Sequence, residues 1–110
     1  MCNIYLGFGN QLNMALDVLP IANQVREQQQ RESRLGIPYI IVTDSVNSIF
    51  LAGGTLFPPT LSMSASWNVP LYEQAISYIR DEHVSIGVRW VLSPELDVGK
   101  EPRYGRVGEM

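Results

Sequence analysis

The sequence predicts an α/β fold built on a parallel sheet, and three observations predict it. Residues 37–42 and 88–92 are continuous apolar runs rich in β-branched side chains, without alternation, which is how strands read when both faces are covered. A shorter apolar and aromatic run occupies residues 4–8. Stretches of helical period separate the runs, and strand, helix, strand, helix, strand is the order that right-handed crossovers turn into a parallel sheet.

In chain order, Ile4-Tyr5-Leu6-Gly7-Phe8 is the first strand. Asp17 offers a cap and Pro20 a first-turn proline, after which Val18, Ile21, Ala22 and Val25 share one face and a polar run from Arg26 to Arg34 ends at Gly36. This predicts a helix over residues 17–34. Ile37-Pro38-Tyr39-Ile40-Ile41-Val42 is the second strand, with Asp44 at its C-terminal end. Residues 45–59 show neither period, and Gly53-Gly54 and Pro58-Pro59 break any regular element, so a long loop is expected over one end of the sheet. Asn68 with Pro70 starts a second helix, whose Leu71, Ala75, Ile76, Ile79 and Ile86 form an inward stripe and which Gly87 stops. Residues 88–92 form the third strand.

Composition bounds the partners. With 110 residues, 45% hydrophobic and 17% charged, the chain is globular in make-up and long enough for one small domain or part of a larger one. A net charge of −3, with only 8 Lys and Arg, all dispersed, offers no basic field, so nucleic acid is excluded as a partner. Cys2 is the single cysteine and has no neighbour at metal spacing, so neither a disulfide nor a metal centre is expected. Residues 1–16 carry no Lys or Arg and are interrupted by Gly7, Gly9, Asn10 and Asn13, so no signal peptide, membrane span or membrane partner is read. The compartment stays open, and a signal, if the parent is secreted, lies upstream.

The chemistry concentrates near the end. Residues 96–109 hold more charge, Gly and Pro than any earlier stretch and follow an apolar strand, the place where α/β folds carry their sites. Glu95 and Asp97, two apart, diverge from a common target, and Asp97 is expected to shape the loop. His83, alone on the second helix, is expected at a surface or interface; Trp90 is expected in the core, and Trp67 under the long loop.

Two architectures satisfy this pattern: an open doubly wound sheet, or part of a (β/α)8 barrel. For the open sheet, Gly7-Phe8-Gly9 follows a strand, but the third glycine is missing, Leu12 stands where a small residue is needed, and Pro20 sets the helix away from the glycines. For the barrel, five motifs occur in order: Arg34-Leu35-Gly36-Ile37-Pro38 leading to Asp44; Gly54-Thr55-Leu56-Phe57-Pro58; Ser66-Trp67-Asn68; Leu92-Ser93-Pro94-Glu95-Leu96-Asp97-Val98; and Glu101-Pro102-Arg103-Tyr104-Gly105-Arg106. Together they resemble the N-terminal barrel domain of glycoside hydrolase family 3, closely over residues 24–109 and loosely over 3–23.

The resemblance implies a partial TIM (β/α)8 barrel, its first three parallel strands with two crossover helices, and residues 1–110 as the incomplete N-terminal part of the barrel domain. It implies a parent that hydrolyses β-D-glucosides or β-D-xylosides by a retaining route, without metal or organic cofactor, its partners being an oligosaccharide or β-glycoside substrate and the remainder of the parent chain. Asp44 would bind hydroxyls of the non-reducing-end sugar and Arg106 would donate to the same sugar, with Arg103 and Asn47 as lesser candidates. A carboxylate accepts from two vicinal hydroxyls and a guanidinium presents a fixed fork of donors, so the pair suits an uncharged polar ring. Asn47 and Ser48 stand where many members have a His-Gly pair, which bears on the identity of the sugar. No catalytic residue is expected here: the nucleophile and acid/base would fall beyond Met110, leaving this chain inactive alone. The alternative is a non-catalytic sugar- or nucleotide-binding α/β domain.

Overall fold

The computed structural model describes residues 3–6 and 12–109. The strands are β1 (Asn3–Leu6), β2 (Ile40–Asp44) and β3 (Val88–Leu92), and the helices α1 (Leu19–Glu32), α2 (Thr60–Ser64) and α3 (Val69–Ser85). A π-helical turn, Met14–Val18, leads into α1, and a 3-10 turn, Val107–Glu109, stands near the end. The sheet has the order β1-β2-β3 with every pair parallel, so the α/β class and the strand sequence are as expected. Gly7 and Phe8 of the expected first strand, with Gly9 of the glycine motif, lie outside the described residues.

The first helix begins earlier than the Asp17 cap predicts. Asn13 is the cap: its side-chain oxygen accepts from the amides of Ala15 and Leu16, both at 3.0 Å. Asp17 reaches back to accept from the Asn13 amide at 2.8 Å, making the cap reciprocal. Val18 of the turn and Ala22 and Val25 of α1 face inward, whereas Ile21 is exposed. The second strand is displaced from 37–42 to 40–44 because Pro38 has no N–H for the ladder, and Ile37 is left in solvent.

The core gathers Val18, Tyr39, Ile41, Ile49, Leu51, Ile86 and Val88. Ile41, 2% exposed on the central strand, stabilises the fold by roughly 1.5–3 kcal/mol through burial alone. Tyr39 donates its hydroxyl to the Ala22 carbonyl, locking α1 to the approach of β2, and burial of that phenol raises its pKa. Ile49 and Leu51 come from residues 45–59, so this segment packs into the core instead of lying over a sheet end. Its far side is stitched to the chain before α1 by the amide of Ala52 donating to Leu12 O (2.9 Å) and that of Met14 donating to Ala52 O (3.1 Å). Thr55 then ties it to α3, its amide and hydroxyl both donating to the Glu82 carboxylate at 3.0 and 2.7 Å.

Helix α3 starts where Asn68 and Pro70 predict, Asn68 accepting from the Leu71 amide at 3.1 Å, and stops before Gly87, whose φ of +86° favours a residue without Cβ. Its buried residues are Ala75, Ile79 and His83, while Leu71 and Ile76 of the expected stripe are exposed. His83 is 2% exposed, not at a surface, because it lies one turn beyond Ile79 on the face turned to β3. Trp67 is 91% exposed: the chain turns there in the left-handed region (φ +54°) and leaves the indole in solvent. Trp90 is also outside the core. A register irregularity between Ile41 and Val42 pairs Val42 with Trp90 and Asp44 with Leu92, so Val88 and Val91 face the core and Trp90 lies, 48% exposed, on the opposite face.

Candidate functional site

Two segments converge at the C-terminal end of β2. Asp44 is the last residue of the strand, and Ser45, Asn47 and Ser48 behind it are buried. Short polar side chains serve this sharp exit by meeting backbone groups. The Asn47 amide nitrogen donates to the Phe57 carbonyl, and the Thr60 hydroxyl donates to the Val46 carbonyl at 3.2 Å. The second segment is the turn after Arg106, where the Glu109 amide donates to Arg106 O at 3.0 Å and brings the Glu109 carboxylate back onto the guanidinium.

Asp44, Asn47, Phe50, Pro59, Arg106 and Glu109 line one cavity of about 540 Å3. The fold thus brings together three of the four residues singled out in the sequence, Asp44, Arg106 and Asn47, from widely separated positions. Arg103 is placed elsewhere. Its guanidinium forms a two-point pair with Glu101 at 2.7 and 3.0 Å, which holds the Glu101 carboxyl below its ordinary pKa. Asp97 is exposed, and Glu95 adds negative charge near Arg106.

Arg106 donates to Glu109 from Nε at 2.8 Å and from Nη2 at 2.5 Å. That hydrogen bonding is the first cause of the raised pKa of Arg106 and of the lowered pKa of Glu109. Two of the guanidinium's five N–H groups are so used, and the Nη1 side can meet another acceptor. Such a lining, with a carboxylate, an amide and a guanidinium beside the apolar Phe50, holds the acceptors and donors that a neutral polyhydroxyl ring can meet. Among the described residues, no group of three or more His, Cys, Asp or Glu could hold a metal ion, and no helix is long and apolar enough to cross a membrane.

Sequence reasoning missed Phe50, Pro59 and, as part of the site, Glu109. Phe50 adopts φ +47°, a conformation phenylalanine rarely takes and which no local pattern announces. Glu109 had a legible signal, lying three residues after Arg106 where one tight turn makes them neighbours.

A parallel sheet with a cavity at its strand ends makes this an α/β domain with its candidate site where such folds carry theirs. The chain belongs to glycosyl hydrolase family 3: the model of that family's N-terminal domain matches residues 4–110. The chain is 30% identical over 89 residues to beta-glucosidase C of Emericella nidulans, a match covering 74% of this chain and 14% of that protein. It is 31% identical over 93 residues to the periplasmic beta-glucosidase/beta-xylosidase of Dickeya chrysanthemi, covering 77% and 14%. It is 31% identical over 74 residues to the lysosomal beta glucosidase of Dictyostelium discoideum, covering 66% and 9%. The chain therefore spans about a seventh or less of these relatives' length. No solved structure matches it.

Proposed function

We propose that this chain supplies the sugar-binding wall of a glycoside hydrolase that cleaves β-D-glucosides or β-D-xylosides with retention of configuration. The observation that carries the reading is the meeting of Asp44 and Arg106 in one polar cavity at the C-terminal end of the sheet. Asp44 accepts from vicinal sugar hydroxyls, and Arg106, held in place by Glu109, donates to a ring or hydroxyl oxygen from its Nη1 side. Fixing the ring in this way contributes to catalysis by orientation. Strands β1 to β3 are the first three of a (β/α)8 barrel, to which residues 1–110 contribute the N-terminal part; their sequential parallel order suits neighbouring barrel strands and equally the 3-2-1 half of a doubly wound sheet, and the match to the family's N-terminal domain favours the barrel. The nucleophile and the acid/base belong to the remainder of the parent chain, and the names of the relatives favour a glucoside or xyloside as substrate.

The test is made in the parent enzyme. Arg106→Lys keeps the charge and loses the planar fork, and Asp44→Asn keeps the shape and loses the charged acceptor. Each should lower kcat/KM by roughly ten- to a thousandfold with the fold intact. Wild-type kinetics in both, with a lower Tm for Arg106→Lys, would make the arginine a structural strut and overturn the reading.

A further inference from the structure

Phe50 is the aromatic side chain on the wall of the cavity that holds Asp44 and Arg106, and its backbone lies in the left-handed region, at φ +47°. A bulky residue takes that conformation only under strain, where glycine or asparagine would take it more easily, so the surroundings must impose it. They do so from both sides. Its neighbours Ile49 and Leu51 are buried in the core. The buried Ser48 hydroxyl accepts from the Phe50 amide at 3.3 Å, and the Gly54 amide donates to the Leu51 carbonyl at 3.0 Å. With the residues before and after it drawn inward, the middle member of this apolar run borders the cavity. Filling the core falls to Ile49 and Leu51.

The ring complements the groups around it. Asp44, Asn47, Arg106 and Glu109 bring acceptors and donors to the cavity, whereas a phenyl ring brings neither. A pyranose whose hydroxyls are all equatorial divides in the same way, with oxygens around its edge and C–H bonds on its two faces. Those hydrogens carry a small positive charge from the neighbouring oxygens, which suits the negative face of an aromatic ring, and their contact removes apolar surface from water. We propose that Phe50 is the stacking residue of this site, its ring covering the C–H face of an uncharged pyranose of gluco or xylo configuration while the edge hydroxyls meet Asp44 and Arg106. The inference rests on the sugar-binding reading of the cavity and adds to it the residue that recognises the face of the ring.

The parent enzyme is assayed on a chromogenic β-glucoside with three variants: Phe50→Leu, which stays apolar without an aromatic face, Phe50→Tyr, which keeps the face, and Asp44→Asn in parallel. Phe50→Leu should lower kcat/KM about tenfold, and Phe50→Tyr should stay within about threefold of the unaltered enzyme. A second measurement does not depend on how the variants fold. With 4-fluorophenylalanine in place of Phe50, the fluorine resonance should shift saturably as D-glucose is added. Wild-type kinetics in Phe50→Leu, an equal loss in Phe50→Tyr, or an unmoved fluorine resonance would overturn the stacking role. If Asp44→Asn is impaired in that case, the sugar-binding reading stands without Phe50. If Asp44→Asn is silent as well, the cavity is not the sugar site and both readings fall.

Discussion

Arg106 and Glu109 form a two-point pair, Nε at 2.8 Å and Nη2 at 2.5 Å from the carboxylate, on the wall of the cavity that also holds Asp44. The geometry decides how Arg106 can serve a ligand. A lone arginine on an exposed turn has many rotamers, and fixing them costs entropy at the moment of binding. Glu109 sets the fork in advance, and its two bonds leave Nη1 unused by that carboxylate.

This pairing has a pH signature. The charge-assisted hydrogen bonds favour ionised Glu109, so its folded pKa is lowered. For a depressed carboxyl, the stabilising contribution is present above the unfolded value and is lost as pH falls through the folded one. A 13C titration should place the Glu109 midpoint below the value of about 4.3 typical of an unstructured peptide. In Arg106→Gln that midpoint should return towards it. An unshifted midpoint in the unaltered chain would mean that the pair does not persist in solution.

The core makes a contrast within one residue type. Ile41 is 2% exposed at the centre of the sheet, and Ile21 is largely in solvent on α1. Ile41→Ala should cost about 2–5 kcal/mol, and Ile21→Ala about 0.5 kcal/mol or less. Urea unfolding followed by circular dichroism measures both. Similar midpoints for the two variants would contradict this assignment of the core.

Gly54 makes a second contrast, with Gly105. A Cβ at Gly54 would stand 2.5 Å from Cγ2 of Ile49 and 3.2 Å from the Leu51 carbonyl oxygen, whereas one at Gly105 meets nothing within 4 Å. Gly54→Ala should therefore destabilise by about 1–3 kcal/mol through overpacking at the buried loop, with Gly105→Ala within about 0.5 kcal/mol of the parent. Thermal melts of the two variants should separate accordingly.

What the sequence made legible is what depends on local pattern. Asn68, Pro70 and Gly87 bracket α3 because capping and the left-handed stop are chemistry of single residues, and residues 88–92 read as a strand from their apolar run. The misplacements have long-range causes. Asn13 outcompetes Asp17 as cap because its chain segment is also held by Ala52, far along the sequence. Ile49 and Leu51 look like loop residues until that same stitch carries them into the core. Trp90 reads as buried, but a one-residue irregularity, invisible in composition, turns it to the other face. Of the site, the strand-end position of Asp44 was legible locally, and Arg106 followed from the motif resemblance. That both border one cavity is a property of the fold.

The last prediction concerns turnover by the chain alone. Hydrolysis with retention needs one carboxyl as nucleophile and another as acid, the acid holding its proton at working pH through a raised pKa. The cavity contains two carboxyls, Asp44 and Glu109. The bonds from Arg106 lower the Glu109 pKa, the wrong direction for a proton donor to a leaving group. With Glu109 unsuited as the acid, the proposed role of the cavity is to orient a sugar, and no cleavage of the glycosidic bond is expected of the chain alone. Residues 1–110 should therefore release no aglycone above a buffer blank from chromogenic β-glucosides or β-xylosides. Addition of the sugar itself should still perturb the resonances of Asp44 and Arg106. Clear turnover that disappears in Glu109→Gln would make Glu109 a catalytic group, and would show that the chain holds more of the reaction than the binding of its sugar.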